Sequence, residues 1–178
     1  MKYGAILADP PWSFKTWSGK TGTPHRCAED NYKTTSTEEL CAIPVADFAA
    51  RDCALFMWVV DSHLPDSLRL AEAWGFSYKT KAFVWRKLTN SGVAKIGMGY
   101  WTRKQTEICL LFTRGKPKRL DKGVRELIDA PRREHSRKPD EQYERIERLV
   151  SGPYLEMFAR QRREGWDAWG DETDKFMA

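Results

Sequence analysis

An apolar run, "YGAILA", ends in Asp9, and Pro10, Pro11 and Trp12 follow at once. These residue types suit a particular chemistry. The exocyclic amine of a purine is a poor nucleophile, because its lone pair is delocalised into the ring. Two acceptors, one on each N–H, hold that amine in place and favour the pyramidal geometry that frees the lone pair. The Asp9 carboxylate is one such acceptor and the backbone carbonyl of Pro10 a natural second, both preorganised by a turn that the prolines fix. Trp12 adds a face on which a base can stack. If the electrophile is a sulfonium methyl, in-line positioning does most of the work, without a metal or a strong base. The plain alternative is punctuation: proline cannot extend a ladder, so the strand stops there with Asp9 solvated and Trp12 packed on the rim.

The elements that would position these residues alternate between strand and helix. Residues 2–8 read as a short strand, and 13–34 as a loop with Gly19, Gly22 and Pro24. "TSTEELCAIP" opens a short helix, with Thr35 and Glu38 at capping-box spacing. "CALFMWVV" (53–60) is a continuous apolar run, as in a strand buried on both faces. Residues 65–75 form a helix ended by Gly75, 78–87 a strand, 88–104 a long loop with "NSG" and "GMGYW", and 106–113 another strand. Residues 124–131 hold a short edge strand. "KPDEQYERIERLVSG" is a helix with Pro139 in its first turn and Gly152 at its stop. Residues 154–159 and 165–170 read as two last strands. The pattern predicts an α/β fold, a mostly parallel open sheet with helices on both faces, in one domain over residues 1–178. Ligands in such sheets bind beyond the carboxyl ends of the strands, where Asp9 and Arg160 both fall.

Composition narrows the function. The chain has 178 residues with 41% hydrophobic content and a net charge of +5, a mean hydropathy of −0.64 and a pI near 9.0. No apolar run approaches membrane-spanning length, and the N-terminus lacks the pattern of a signal peptide. Cys27, Cys41, Cys53 and Cys109 have no C-x-x-C spacing, which argues against zinc and fits reduced thiols in a cytoplasm. The three histidines have no ligand spacing either. No G-x-G-x-x-G, P-loop or G-x-S-x-G motif is present. Basic clusters at 114–119, 132–138 and 160–163, set among eight tryptophans, suit a protein that holds phosphates and stacks bases, although a solvated basic face and an ordinary aromatic core account for them equally well.

The sequence resembles the adenine-N6 methyltransferases of the MT-A-seventy type, which include the catalytic subunit of the eukaryotic mRNA adenosine methyltransferase and many bacterial and phage relatives. "ADPPW" (8–12) carries the resemblance together with "LFMWV" (55–59), "AEAWGF" (71–76), "FVWRK" (83–87), "TEICLLFTRGKP" (106–117), "HSRKPDEQYERIERLV" (135–150), "LEMFAR" (155–160) and "GWDAWGDE" (165–172), all in the family's order. The resemblance implies a Rossmann-like class I methyltransferase fold with permuted motif order, the catalytic strand first and the cofactor strand last. It implies S-adenosyl-L-methionine as cofactor, S-adenosylhomocysteine as product and no metal. Asp9, Pro10, Pro11 and Trp12 are then the catalytic residues. Ala8, Asp9, Lys138, Phe158, Arg160, Asp171 and Glu172 form the cofactor site, with Lys138 toward the methionine carboxylate and the two acids toward the ribose hydroxyls. Tyr32, Trp58, Arg103 and Glu107 lie toward the substrate, and loop 88–104 matches a gate over it.

The chain departs from the family at Asp171, often an asparagine, at Ala159, a glycine in eukaryotic members, and at Arg162 and Arg163, where those members carry a His-Asn pair. An acid at 171 accepts from a ribose hydroxyl but cannot donate, and it adds negative charge beside the cofactor. The implied substrate is adenine in nucleic acid, flipped or single-stranded. DNA is favoured over RNA, because compact members are mostly bacterial and phage DNA enzymes of the cytoplasm. Sequence choice would come from loops 13–34 and 88–104, from a homodimer or from a recognition partner. The rival readings are an RNA adenine-N6 enzyme, a non-catalytic nucleic-acid-binding subunit, and an amine methyltransferase acting on cytosine N4 or a protein glutamine.

Overall fold

In the computed structural model the described residues are 1–12, 35–134 and 137–176. Loop 13–34 with Tyr32, and His135, lie outside them. Seven strands form one sheet: β1 (Tyr3–Ala8), β2 (Ala49–Val59), β3 (Ser77–Leu88), β4 (Thr106–Arg114), β5 (Leu127–Pro131), β6 (Tyr154–Met157) and β7 (Trp166–Trp169). Their order is β5-β3-β4-β2-β1-β6-β7. β4 is antiparallel to both β2 and β3, and every other pairing is parallel. Among the described residues four α-helices accompany the sheet, α1 (Thr37–Cys41), α2 (Val45–Phe48), α3 (Leu64–Ala73) and α4 (Glu141–Leu149), with a 3-10 turn at Asp61–His63. None of the helices is long and apolar enough to cross a membrane among the described residues.

β1 is apolar throughout because both of its faces are covered. Ile6 and Ala8 join a core with Leu40, Val45, Leu70 and Trp74, on the side of α1, α2 and α3. Ala5 and Leu7 join the opposite core with Phe56, Tyr143 and Ile146, on the side of α4. β1 is therefore central, paired with β2 on one edge and β6 on the other. The turn that follows it is held by its own backbone. The Trp12 N–H donates to the Pro10 carbonyl at 2.9 Å, and the Thr35 N–H to the Pro11 carbonyl at 2.8 Å.

Several boundaries differ from the sequence reading. The capping box is formed by Ser36 and Glu39, one residue later than Thr35 and Glu38: the Ser36 side chain accepts from the Glu39 N–H and the Glu39 carboxylate accepts from the Ser36 N–H. Helix α2 was not anticipated, being only four residues long. β2 begins at Ala49 rather than Cys53, because the parallel ladder with β1 already pairs Tyr3 with Ala49. Gly75 ends α3 with a φ of +84°, as expected. Pro139 precedes the N-cap Asp140 instead of entering the first turn of α4, and that helix stops at Val150, before Gly152. β6 ends at Met157 because Phe158 turns the chain with a φ of +61°.

Gly4 sets how closely β1 approaches the segment leading into β6. A Cβ there would lie 2.6 Å from the Ser151 carbonyl oxygen and 2.8 Å from that of Gly152. Both obstacles are backbone, so they cannot swing aside. Gly4→Ala is expected to destabilise the protein by about 1–3 kcal/mol, read as a lower urea midpoint with an unchanged slope.

Candidate active site

The topology gathers charged side chains at one edge of the sheet. Asp9 follows the carboxyl end of β1. Because β4 runs the other way, its beginning, with Glu107, lies at that same edge. β3 pairs Trp85 with Glu107 and so delivers Lys87 two residues on. Lys138 arrives from the segment between β5 and α4. Its Nζ lies 2.8 Å from Asp9 Oδ2 and 3.3 Å from Glu107 Oε2. Lys87 completes the chain of ion pairs by pairing with the other Glu107 oxygen.

The lysine is well held. Its side chain is 9% exposed. Arg133 pins the backbone that carries it, donating to the Lys138 carbonyl at 2.8 Å and with both guanidinium nitrogens to Asp140, at 2.8 and 2.9 Å. The Trp58 ring lies beneath the ammonium, 5.7 Å away. Burial opposes the charge on Lys138, but the Asp9 and Glu107 carboxylates outweigh it and hold the group protonated, above the usual lysine range. Burial likewise pushes Glu107 up, and Lys138 and Lys87 together overcome this and bring it down to about 2.

Two cavities open beside this cluster and share Phe158 and Arg160. One is lined by Asp9, Arg137, Lys138, Glu156 and Gln161. The other is lined by Pro11, Ile43, Trp169, Asp171 and Glu172. The first is rich in cations. The Nε of half-buried Arg137 is sealed from solvent there, and its N–H has no partner among the described residues. The second is a cradle with aromatic and aliphatic walls and three acids, Glu39, Asp171 and Glu172, in its lining. Gly170 lets its backbone approach β6, since a Cβ there would lie 3.0 Å from Phe158 Cα. Glu172 is already engaged, by Lys175 at 2.8 Å and by Arg160 at 3.6 Å. An adjoining pair of this kind suits a ligand that is an amino acid at one end and a nucleoside at the other: an orphaned guanidinium N–H for a carboxylate, flat walls for a base, carboxylates for ribose hydroxyls.

Not every expected residue presents itself as the sequence suggested. Trp12 is 1% exposed, and its ring is stacked on His63, with centroids 5.2 Å apart. It therefore offers no open face in this conformation. Trp58 is buried, donates its indole N–H to Gln142 at 2.7 Å, and lines the first cavity beneath Lys138. Arg103 stands exposed on the connection between β3 and β4, outside the Asp9 cluster. Ala8 is wholly buried in the ladder. The structure adds side chains that sequence reasoning passed over: Arg137, Gln142, Tyr143, Glu156 and Gln161. Glu156 was visible as an acid inside an apolar strand, and Gln142 as a polar residue on the buried stripe of α4, four residues before Ile146.

Glu156 makes a measurable prediction. It accepts from the Tyr143 hydroxyl at 3.0 Å. Burial raises its carboxyl, the Tyr143 bond lowers it, Asp9 raises it again, and the result is about 7 against an ordinary 4.5. An acid raised on folding keeps its proton in the native state while the unfolded chain loses it. Stability therefore falls as pH rises from about 4.5 to about 7, by on the order of 3 kcal/mol at most. Glu156→Gln is expected to flatten urea stability across that window and leave the slope below pH 4 in place.

The MT-A70 family profile matches residues 3–172. The Type II methyltransferase M.MunI of Mycoplasma sp is 35% identical over 187 residues, covering 96% of this chain and 78% of that protein. The N(6)-adenosine-methyltransferase MT-A70-like protein of Arabidopsis thaliana is 28% identical, over 97% of this chain but 24% of its own length. The N(6)-adenosine-methyltransferase catalytic subunit METTL3 of Homo sapiens is 28% identical, over 97% of this chain and 28% of its own. The chain thus spans most of the bacterial relative and about a quarter of these two eukaryotic ones.

Proposed function

The chain belongs to the MT-A70 family, and from that membership and the geometry around Asp9 we propose that it transfers a methyl group to the N6 amine of adenine in nucleic acid, using S-adenosylmethionine. The observation that carries this reading is the Asp9-Pro10-Pro11-Trp12 turn at the end of a central strand, with its carboxylate held by Lys138 and two fitting cavities alongside. S-adenosylmethionine would supply a sulfonium-bound methyl, with S-adenosylhomocysteine as the product. Arg137 and Lys138 would hold its carboxylate, while Phe158, Trp169, Asp171 and Glu172 would form the nucleoside end, with Arg160 between.

The protein's own work is positioning. Lys138 takes Asp9 Oδ2 and turns the carboxylate so that Oδ1, with no partner among the described residues, accepts one N–H of the target amine. The Pro10 carbonyl, one of whose lone pairs is used by Trp12, accepts the other. The two acceptors fix the amine in line with the incoming methyl carbon. The N–C bond forms from the nitrogen lone pair, and the surplus proton leaves the amine by way of Asp9 to water. Glu107 keeps Lys138 charged and in place.

DNA is the favoured polymer, because the relative that this chain nearly matches in length is a bacterial Type II methyltransferase. The relatives named for adenosine are matched over about a quarter to a half of their length. The test is transfer from radiolabelled S-adenosylmethionine to matched single-stranded DNA, duplex DNA and RNA, with the product nucleoside identified by mass. N6-methyladenine in DNA is expected. N6-methyladenosine in RNA alone would reassign the polymer, N4-methylcytosine the base, and binding without transfer would favour the non-catalytic subunit.

A further inference from the structure

The connection between β3 and β4 holds large apolar side chains out in solvent. Val93, Ile96 and Met98 are exposed, Tyr100 is 86% exposed and Trp101 99%, whereas Trp12, Trp58, Trp74 and Trp85 are at 2% or less. A cluster of this kind on a soluble surface marks a contact site. The connection is also built rather than slack. Gly97 and Lys104 exchange backbone hydrogen bonds of 2.7 and 3.1 Å, and the Lys95 N–H reaches the Lys87 carbonyl at 2.8 Å. At the tip a Cβ on Gly99 would lie 2.1 Å from the Thr102 carbonyl oxygen, so only glycine makes that turn.

Its position links it to the Asp9 cluster from two sides. The base of the hairpin is Lys87 and Glu107, the outer ion pair of the chain that ends at Asp9. On its flank Lys104 pairs with Asp61, beside the turn whose His63 stacks on Trp12. Residues 88–106 contain Lys95, Arg103 and Lys104 and no acid. Aromatic rings at the tip with cations behind them match a stack of bases between phosphates. An adenine amine inside a duplex is out of reach until the base is extruded, and proteins that open a stack commonly fill the gap with an apolar wedge.

We propose that Tyr100 and Trp101 are a wedge that enters the base stack of duplex DNA and occupies the place left by the extruded adenine. The inference rests on the nucleic-acid reading of the Asp9 site. It concerns only how a duplex is opened, so a single-stranded substrate does not need it.

The test compares wild type, Trp101→Ala, Tyr100→Ala/Trp101→Ala and Trp101→Phe on a duplex, on its isolated strand, and on the same duplex with mismatches opposite its adenines. With the stacking of a base at stake, the alanine variants are expected to lose at least tenfold more activity on the duplex than on the strand. Mismatches should restore most of it, and Trp101→Phe should retain it. Equal losses on strand and duplex would overturn the wedge and leave a gate or a structural role. No loss on the duplex would also overturn it, as would a loss that tracks a shift in sedimentation from dimer to monomer, which would make the tip a contact between copies of the chain. A wild type active on single strands alone sinks the wedge and spares the function; a wild type inactive on every polymer sinks both.

Discussion

Asp9→Asn lowers methyl transfer by at least about a hundredfold, the order expected when one preorganised partner of the transition state is lost, while the protein stays folded and still binds S-adenosylhomocysteine. The substitution keeps shape and volume and changes only the hydrogen-bonding sense of one atom. The carboxylate has two acceptor oxygens: Lys138 takes one at 2.8 Å, and the other is the one proposed to meet the target amine. An amide has a single oxygen. The Lys138 ammonium, which can only donate, claims it, and the amide NH2 is turned toward the adenine amine. Donor then meets donor where an acceptor is required. Because the contact strengthens as the amine pyramidalises, the loss is expected in kcat more than in the KM for nucleic acid. Asp9→Ala is a blunter probe, since it strips Lys138 of its nearer counter-ion inside a buried site. The measurement is initial rate and product release by radiolabel, with calorimetry for S-adenosylhomocysteine. An asparagine variant that keeps a third of the activity would show that the amine is positioned by other groups.

The same carboxylate shows what the sequence could and could not reveal. A strand ending in Asp-Pro-Pro-Trp is a local signal, so β1 and its acid were legible, as were Gly75 as a helix stop and the alternation of strands and helices. The reversal of β4 was not legible, because no periodicity in "TEICLLFTR" records which way it runs. Yet that reversal is what brings Glu107 to the edge occupied by Asp9 and lets Lys87 reach it. Trp58 was expected at the substrate from the family resemblance. Its buried place beneath Lys138 includes a hydrogen bond to Gln142, 84 residues away in sequence on α4. The Ser36–Glu39 box was missed for a simpler reason. Thr35 and Glu38 have the same spacing, and Thr35 is committed instead to the carbonyl of Pro11, a partner that local spacing cannot display.

Lys138→Met is expected to do broader damage than any change at Asp9, because the lysine joins the two halves of the site. Methionine matches its aliphatic stem and suits a side chain that is 9% exposed, so packing survives while the charge disappears. Asp9 and Glu107 then share one ammonium fewer, and like charges are left at a half-buried edge. Breaking a buried pair by removing one partner costs about 3–5 kcal/mol, and a lower urea midpoint at pH 7 is expected. The pH dependence carries the sharper signature. In the wild type Glu107 is held down at about 2 against an ordinary 4.5. A depressed acid stabilises the fold above its unfolded value, and that contribution fades as pH falls from about 4.5 toward 2. Without Lys138 only Lys87 opposes the effect of burial, Glu107 moves back up, and the variant loses that acid-side slope. Cofactor affinity reports on function separately. If Lys138 also holds the carboxylate of S-adenosylmethionine, the variant binds S-adenosylhomocysteine at least about tenfold more weakly, the 1.4 kcal/mol that one charge-assisted hydrogen bond supplies. A variant that shows the stability loss and the altered acid slope yet binds S-adenosylhomocysteine as the wild type does would confine Lys138 to holding Asp9 in position. The cofactor carboxylate would then belong to Arg137, whose buried Nε–H has no other partner among the described residues.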